Sequence, residues 1–368
     1  MSALFLGLIS GTSADGIDAA LVRFDPALEV LAALTAPYPP ALRERLLALT
    51  TADAAISIDE FGALDVAVGE CFAAAALDVL VHAGVSPDEV RAIGSHGQTV
   101  RHRPTGPHPF SLQIGDASVI AERTGICTIA DFRRADVAAG GQGAPLAPAL
   151  HAAIFADHMP CVVLNLGGIA NLSLLTRDGG VIGFDSGPAN CLLDAWNARH
   201  RGSSCDLDGR WAASGTVDAG LLDALLRDPY FSEAPPKSTG REYFNLDWLD
   251  AIAGSRQSAA ADVQATLMAL SVRTIADAVQ SLPVRVGEAL VCGGGVHNAF
   301  FMRSLQAALA PVLVRGTASA GIDPDHVEAI LFAWLARERL AERAGNLVSV
   351  TGARGPRVLG AIHAARRR

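Results

Sequence analysis

The stretch Ala3–Phe24, ALFLGLISGTSADGIDAALVRF, decides the fold class of this chain. Its apolar run Ala3–Ser10, polar turn Gly11–Gly16 and second run Ile17–Phe24 predict a β-hairpin. The figure recurs at Pro160–Leu175, PCVVLNLGGIANLSLL, as a strand Pro160–Leu166, a glycine-rich turn Gly167–Asn171 and a return Leu172–Leu175. After each hairpin, short apolar runs alternate with helical periodicity. The first half predicts helices across Pro40–Thr50, Ile58–His82 and Ala117–Thr124. Between them lie strands Val90–Ser95 and Cys127–Asp131, with a polar loop His96–Pro109. In the second half, strand Val181–Phe184 runs into a helix at about Cys191–His200, and helices follow at Val217–Arg227 and Ala261–Leu282. Strand Ala289–Cys292 then feeds Gly293–Gly295 and a helix Ala299–Leu309, and Asp325–Ala344 forms one long helix. This is the pattern of a duplicated α/β domain with a cleft between the halves.

Composition narrows the function. With 368 residues the chain is too long for one compact core and suits two domains. Half of it is hydrophobic, 18% is charged and the mean hydropathy is +0.31, which excludes a disordered or fibrous chain. No uninterrupted apolar run reaches the roughly 18 residues of a membrane span, and the start of the chain lacks the basic segment of a signal peptide. A net charge of −9 and a pI near 5.5 argue against nucleic-acid binding, whose affinity comes largely from phosphate neutralisation. A cytoplasmic protein is expected. Lys237 is the only lysine among the 29 basic residues, so a Gly-Lys-Ser/Thr phosphate loop is excluded. The six cysteines are scattered, with no C-x-x-C pair, and read as reduced thiols.

Several motifs carry possible chemistry. In the turns Ser10–Gly16 and Asn165–Asn171, glycines allow an anion close to the backbone, where amide N–H groups and hydroxyls can donate to it. Either they are phosphate cradles or plain hairpin turns. Gly293-Gly-Gly295, between a strand and a helix, suits a nucleotide packed flat on the backbone. Asp185 stands at the expected end of a strand, where α/β folds place ligands, or else it caps the helix that follows. Asp131, Arg133 and Arg134 follow another strand. The arginine pair suits a carboxylate ligand or an ion pair. His96, in Ser-His-Gly-Gln, is read as a polar cleft residue. Glu328 falls in the first turn of its helix, where an acid favours the helix dipole whatever else it does.

Taken together, GTSADGID (Gly11–Asp18), SHGQTVRHRP (Ser95–Pro104), ADFRRADVAAGGQGAPL (Ala130–Leu146), LNLGGIANL (Leu164–Leu172) and GFDSGPAN (Gly183–Asn190) resemble the anhydro-N-acetylmuramic acid kinase family. So do PPKSTGREYFN (Pro235–Asn245), CGGG (Cys292–Gly295) and GIDPDHVEA (Gly321–Ala329), in the same order along essentially the whole chain. Two departures stand out: Ser186 and Ala189 where the family usually has Thr and Gly, and His297-Asn298-Ala299 where it commonly has Arg-Asn-Pro.

The resemblance implies an α/β fold of two RNase-H-like, actin-like ATPase domains flanking an interdomain cleft. Domain one would hold residues 1–124 plus about 342–368, and domain two residues 125–341. It implies an ATP- and Mg²⁺-dependent kinase that opens the 1,6-anhydro ring of anhydro-N-acetylmuramic acid and phosphorylates O6, in peptidoglycan recycling. The implied partners are this small-molecule sugar and a second copy of the chain in a homodimer, with no nucleic acid or membrane. Asp185 would be the catalytic base. Gly11, Thr12, Ser13, Ala14, Asp15, Gly16, Ile17, Asp18, Gly167, Gly168, Gly293, Gly294 and Gly295 would bind the nucleotide. His96, Asp131, Arg133, Arg134 and Glu328 would meet the sugar, the arginines taking its lactyl carboxylate. The metal ligands stay open. Two rivals stand beside this reading: a generic sugar kinase acting on a free hydroxyl, and a non-catalytic ATPase switch.

Overall fold

A computed structural model describes residues 3–50, 54–254 and 256–365. Its strands are β1 (Leu4–Ser10), β2 (Ile17–Arg23), β3 (Glu29–Ala36), β4 (Val90–Arg103), β5 (Phe110–Ile114), β6 (Thr128–Ala130), β7 (Cys161–Leu166), β8 (Ile169–Leu175), β9 (Val181–Pro188), β10 (Glu288–Cys292), β11 (Leu313–Gly316) and β12 (Ala361–His363). They form two sheets, ordered β12-β6-β4-β1-β2-β3 with β5 on β4, and β11-β10-β7-β8-β9.

Both sheets share one plan. In each, three consecutive strands form an antiparallel meander, and the first of them pairs in parallel with a fourth strand that itself pairs in parallel with a fifth. The order third-second-first-fourth-fifth is the RNase-H-like topology, present twice. Both expected hairpins are there, Leu8 opposite Ala19 in one and Val163 opposite Ser173 in the other. The edge strand β3 was not anticipated.

The chain divides into two compact units, residues 1–150 with 326–368 and residues 151–325. The first core gathers Leu6, Leu8 and Ile93 from the sheet with Phe72 and Val79 of the helix Ile58–Ala83. The second gathers Val162, Leu164 and Val291 with Leu270 and Ile275 of the helix Ala260–Gln280 and Phe301 and Leu305 of the helix Ala299–Leu309.

The domain boundaries expected at 124/125 and 341/342 are therefore corrected, for two reasons. β6 continues the first sheet through its parallel pairing with β4, Ile93 opposite Thr128. The helix Val327–Leu340 lies directly on β1 and β4. A Cβ at Gly7 would stand 1.7 Å from the Ala329 carbonyl oxygen, and one at Gly94 would stand 1.9 Å from that of Phe332. Only glycine lets backbone approach backbone this closely.

Three further readings change. The segment expected as a loop from His96 continues β4 to Arg103 and returns as β5, with His96 and Gln98 buried. Ile169–Asn171 belongs to β8, which leaves Gly167-Gly168 as the turn. Asp185 lies inside β9, which runs on to Pro188. No helix among the described residues is long and apolar enough to cross a membrane.

Candidate active site

In the second unit, cross-strand pairing sets a polar row across the sheet: Cys292 opposite Asn165, Asn165 opposite Asn171, Asn171 opposite Asp185. Residues directly opposite share a face and touch. A bulge decides the last pair, because the register slips between Ala170 and Asn171 and brings Asp185 opposite Asn171, skipping Ser186. The Ser186 hydroxyl donates instead to the Ala170 carbonyl at 3.2 Å.

The Asp185 carboxylate is 6% exposed and held on both oxygens. Oδ1 accepts a short hydrogen bond from Asn171 Nδ2, and Oδ2 accepts from the Thr239 N–H at 2.9 Å. Its backbone is fixed as well: its N–H donates to the Lys237 carbonyl at 3.1 Å, and the Tyr230 hydroxyl donates to its carbonyl at 2.8 Å. Burial pushes the carboxyl up to about 6, against the lowering effect of the Thr239 and Asn171 donors. The helix-cap alternative fails, because the helix Asn190–Arg201 starts at Ala189 without a side-chain cap.

Around this row sit the glycines expected to meet a nucleotide. Gly293 has φ +78°, and a Cβ there would stand 2.3 Å from Asn165 Oδ1, so the run Gly293–Gly295 folds against the row through glycine alone. The turn Gly167-Gly168 sits against the start of the helix Asn190–Arg201, whose Asn190 and Cys191 N–H groups donate to its carbonyls at 3.0 Å each. Asn190 Nδ2 donates to the Leu166 and Gly167 carbonyls, each at 2.9 Å. His297, at the family departure, pairs with Asp325 at 2.8 Å, and Asn298 caps the next helix by accepting from the Phe301 N–H at 3.0 Å.

In the first unit the turn Gly11–Gly16 is clamped from outside. Gln98 Nε2 donates to the Gly11 carbonyl at 3.0 Å, Arg43 Nε donates to the Ala14 carbonyl at 3.0 Å, and Arg43 pairs with Asp15 at 2.7 Å. Thr12 and Ser13 lie within this turn, Ile17 is buried at the start of β2, and Asp18 accepts from the Thr35 hydroxyl at 2.6 Å.

The sugar-side candidates fall into two groups. Arg133 Nε donates to His96 Nε2 at 2.9 Å, and Arg133 Nη1 donates to the Gly143 carbonyl at 2.8 Å. The His96 Nδ1–H is then the donor to the Gly97 carbonyl at 3.0 Å. Burial, and then the Arg133 charge, hold His96 well below the usual histidine range, so it is neutral. Burial lowers Arg133 to about 10, opposed by the charges of Glu328 and Asp136, and it stays a cation at neutral pH. Arg133 Nη2 carries no hydrogen bond among the described residues. Arg134 is the other case: it is exposed and paired with Asp131 at 3.5 Å. The structure thus brings His96, Arg133 and Glu328 together and sends Arg134 to the surface.

Reasoning from the sequence passed over Asn165, Asn171, Thr239, Gln98 and Arg43. The first four stand inside motifs quoted above, but only pairing across strands shows that they grip Asp185, the glycine run and the first turn.

A family model described as anhydro-N-acetylmuramic acid kinase matches residues 3–365. A curated relative of that name from Xanthomonas oryzae pv. oryzae (strain MAFF 311018) is 57% identical over 369 residues, covering 99% of this chain and 98% of the relative. One from Coxiella burnetii (strain Dugway 5J108-111) is 49% identical over 362 residues, covering 98% and 97%. Among solved structures, a ROK family glucokinase from Streptomyces griseus matches with a TM-score of 0.42 and 15% identity, covering 91% of this chain and 100% of that one. A match spanning nearly the whole chain, to a family model and to relatives at this identity, settles the assignment: the chain belongs to the anhydro-N-acetylmuramic acid kinase family.

Proposed function

We propose that this phosphotransferase opens the 1,6-anhydro ring of anhydro-N-acetylmuramic acid with water and transfers the γ-phosphoryl group of ATP to the released O6. The products are N-acetylmuramic acid 6-phosphate and ADP, and the reaction serves peptidoglycan recycling. The observation that carries the reading is the Asp185 carboxylate, buried, gripped on both oxygens and pushed up to about 6. At neutral pH it is ionised, yet close enough to neutrality in pKa to take a proton.

Asp185 accepts the proton of a water whose oxygen bonds to C1 while the C1–O6 bond breaks. An inverting glycosidase needs a second acid to protonate the leaving oxygen. Here O6 bonds to the γ-phosphorus instead, as the bond from that phosphorus to the β-phosphate oxygen breaks and ADP leaves. The proton on Asp185 then returns to solvent. Arg133 supplies a cation for the lactyl carboxylate, with Nη2 still available, and His96 and Glu328 complete the sugar side. The turns at Gly11–Asp18 and Gly167-Gly168 and the run Gly293–Gly295 take the nucleotide.

A Mg²⁺ ion, when bound with the nucleotide, neutralises phosphate charge. It favours oxygen donors and few protein carboxylates. Asp18, at the start of β2 beside the first turn, is the carboxylate that would meet it.

The test is turnover in ¹⁸O-labelled water, with the product read by mass spectrometry before its anomeric oxygen exchanges. The label is expected on C1 and absent from the phosphate. A phosphorylated product with its anhydro ring intact, as a generic hydroxyl kinase would make, overturns the reading.

A further inference from the structure

Most arginines of this protein are engaged: Arg43 with Asp15, Arg123 with Glu70, Arg199 with Asp250, Arg273 with Asp277. Arg241 is not. It is exposed, and among the described residues it forms no ion pair and no hydrogen bond. The neighbouring Glu242 does not neutralise it, because its carboxylate folds back over Gly240.

The Arg241 side chain nevertheless has a defined place. It lies against Gly168, where an added Cβ would stand 2.7 Å from Nε, 3.1 Å from Nη2 and 3.3 Å from Cζ. Nε and Nη2 lie nearer than Cζ, so the planar group meets the glycine edge-on, with its Nε–Nη2 fork turned toward the turn. The carbonyls of that turn do not hold it, since they are already occupied. Gly167 O accepts from the Asn190 N–H at 3.0 Å, and Gly168 O accepts from the Ala189 and Cys191 N–H groups at 2.9 and 3.0 Å. The guanidinium donors are left over.

The segment that carries Arg241 also grips Asp185. Lys237 O accepts from the Asp185 N–H, and the Thr239 N–H donates to Asp185 Oδ2 at 2.9 Å. Two residues on from that bond stands Arg241.

We propose that Arg241 contacts the phosphoryl group being transferred, its guanidinium spread over two phosphoryl oxygens at the Gly167-Gly168 turn, and that Lys237–Arg241 ties this contact to the base Asp185. The inference rests on the kinase reading above. A planar fork of unpaired donors suits two oxygens of one phosphoryl group. Charge spread over those oxygens during transfer is what a pre-placed cation stabilises.

The experiment uses the full chain and compares wild type with Arg241→Ala and Arg241→Lys. It measures kcat, the KM for ATP, and the sugar Kd by calorimetry without nucleotide. Arg241→Ala is expected to lower kcat about a hundredfold or more, with Arg241→Lys in between. The sugar Kd is expected to stay within about twofold, and added guanidinium ion to restore part of the activity of Arg241→Ala, which a structural role would not permit. Because Arg241 is exposed and unpaired, both variants are expected to melt like wild type. A kcat within about threefold of wild type overturns the proposal, and so does a sugar Kd that weakens as much as kcat falls, which would place the guanidinium on the sugar carboxylate. Wild-type protein that transfers no phosphoryl group from ATP to the sugar would bring down the kinase reading and this contact with it. An active wild type with an unaffected Arg241→Ala would bring down the contact alone.

Discussion

Asp185 is costly to the fold in its ionised form. Burial holds its carboxyl up at about 6, roughly two units above an exposed aspartate. From about pH 4 to pH 6 the folded protein therefore binds a proton that the unfolded chain has released. Stability contributed by this group falls as pH rises through that window and stays low above it. Asp185→Asn removes the ionised form. Asn171 can turn its amide so that its oxygen accepts from the new side chain, while the Thr239 N–H keeps an oxygen partner. The variant is expected to gain about 1–3 kcal/mol at pH 7.5 and nothing at pH 3.5 in denaturant titrations. Its turnover is expected to fall by about 10²–10⁴-fold with sugar binding retained, while wild-type kcat/KM rises through about pH 6. An Asn variant within about tenfold of wild-type turnover would remove Asp185 from the role of base.

The arginine pair is separated at the same scale. Arg133→Gln is expected to cost about tenfold or more in kcat/KM on a lactyl-bearing sugar, and far less on one without that group. Arg134→Gln removes only an exposed pair with Asp131 and is expected to change little on either. Equal losses in the two variants would contradict the division.

At the scale of elements, helix and sheet meet through glycine. Gly94→Ala forces a methyl into the Phe332 carbonyl, so the helix Val327–Leu340 must lift off β4. A loss of about 3 kcal/mol or more, or failure to fold, is expected from thermal melts. Gly62 lies exposed within the helix Ile58–Ala83, with nothing within 4 Å of an added Cβ. Gly62→Ala is expected to stabilise by about 0.5–1 kcal/mol, since alanine restricts the unfolded chain and suits the helix. The pair reads close approach against propensity in one experiment. A Gly94→Ala protein as stable as wild type would show that the helix is not seated as described.

At the scale of the whole molecule, the two units have separate cores, and the second is one continuous stretch of chain. Every group that grips Asp185 belongs to it: Asn171, Tyr230, Lys237 and Thr239. A fragment of residues 147–325, begun with the helix Ala147–Ile154 intact, is expected to fold alone with a cooperative melt. It should also keep the stabilising effect of Asp185→Asn at pH 7.5. A fragment without a cooperative transition, or one in which that effect vanishes, would show that the grip on Asp185 needs the rest of the chain.

The amino-acid order by itself determined what depends on neighbours. Both hairpins, the strand at Ala289–Cys292 and the helix Ala299–Leu309 follow from apolar period and turn residues, and these act over a few positions. The motif set, spread in order over the chain, also sufficed to indicate the family. Tertiary structure alone decided the rest, because each remaining feature is settled by a partner far away in sequence. The bulge that turns Asp185, not Ser186, toward Asn171 is a matter of register between β8 and β9. His96 reads as a loop residue until β4 runs on through it and the Phe332 ring, 4.6 Å from its own, and Arg133 pack against it. Residues 125–150 and 326–341 join the first unit because β6 finds β4 and a helix finds two glycines. Arg133 and Arg134 are adjacent and chemically identical. Only the positions of the His96 ring and the Gly143 carbonyl draw one of them inward and leave the other in water.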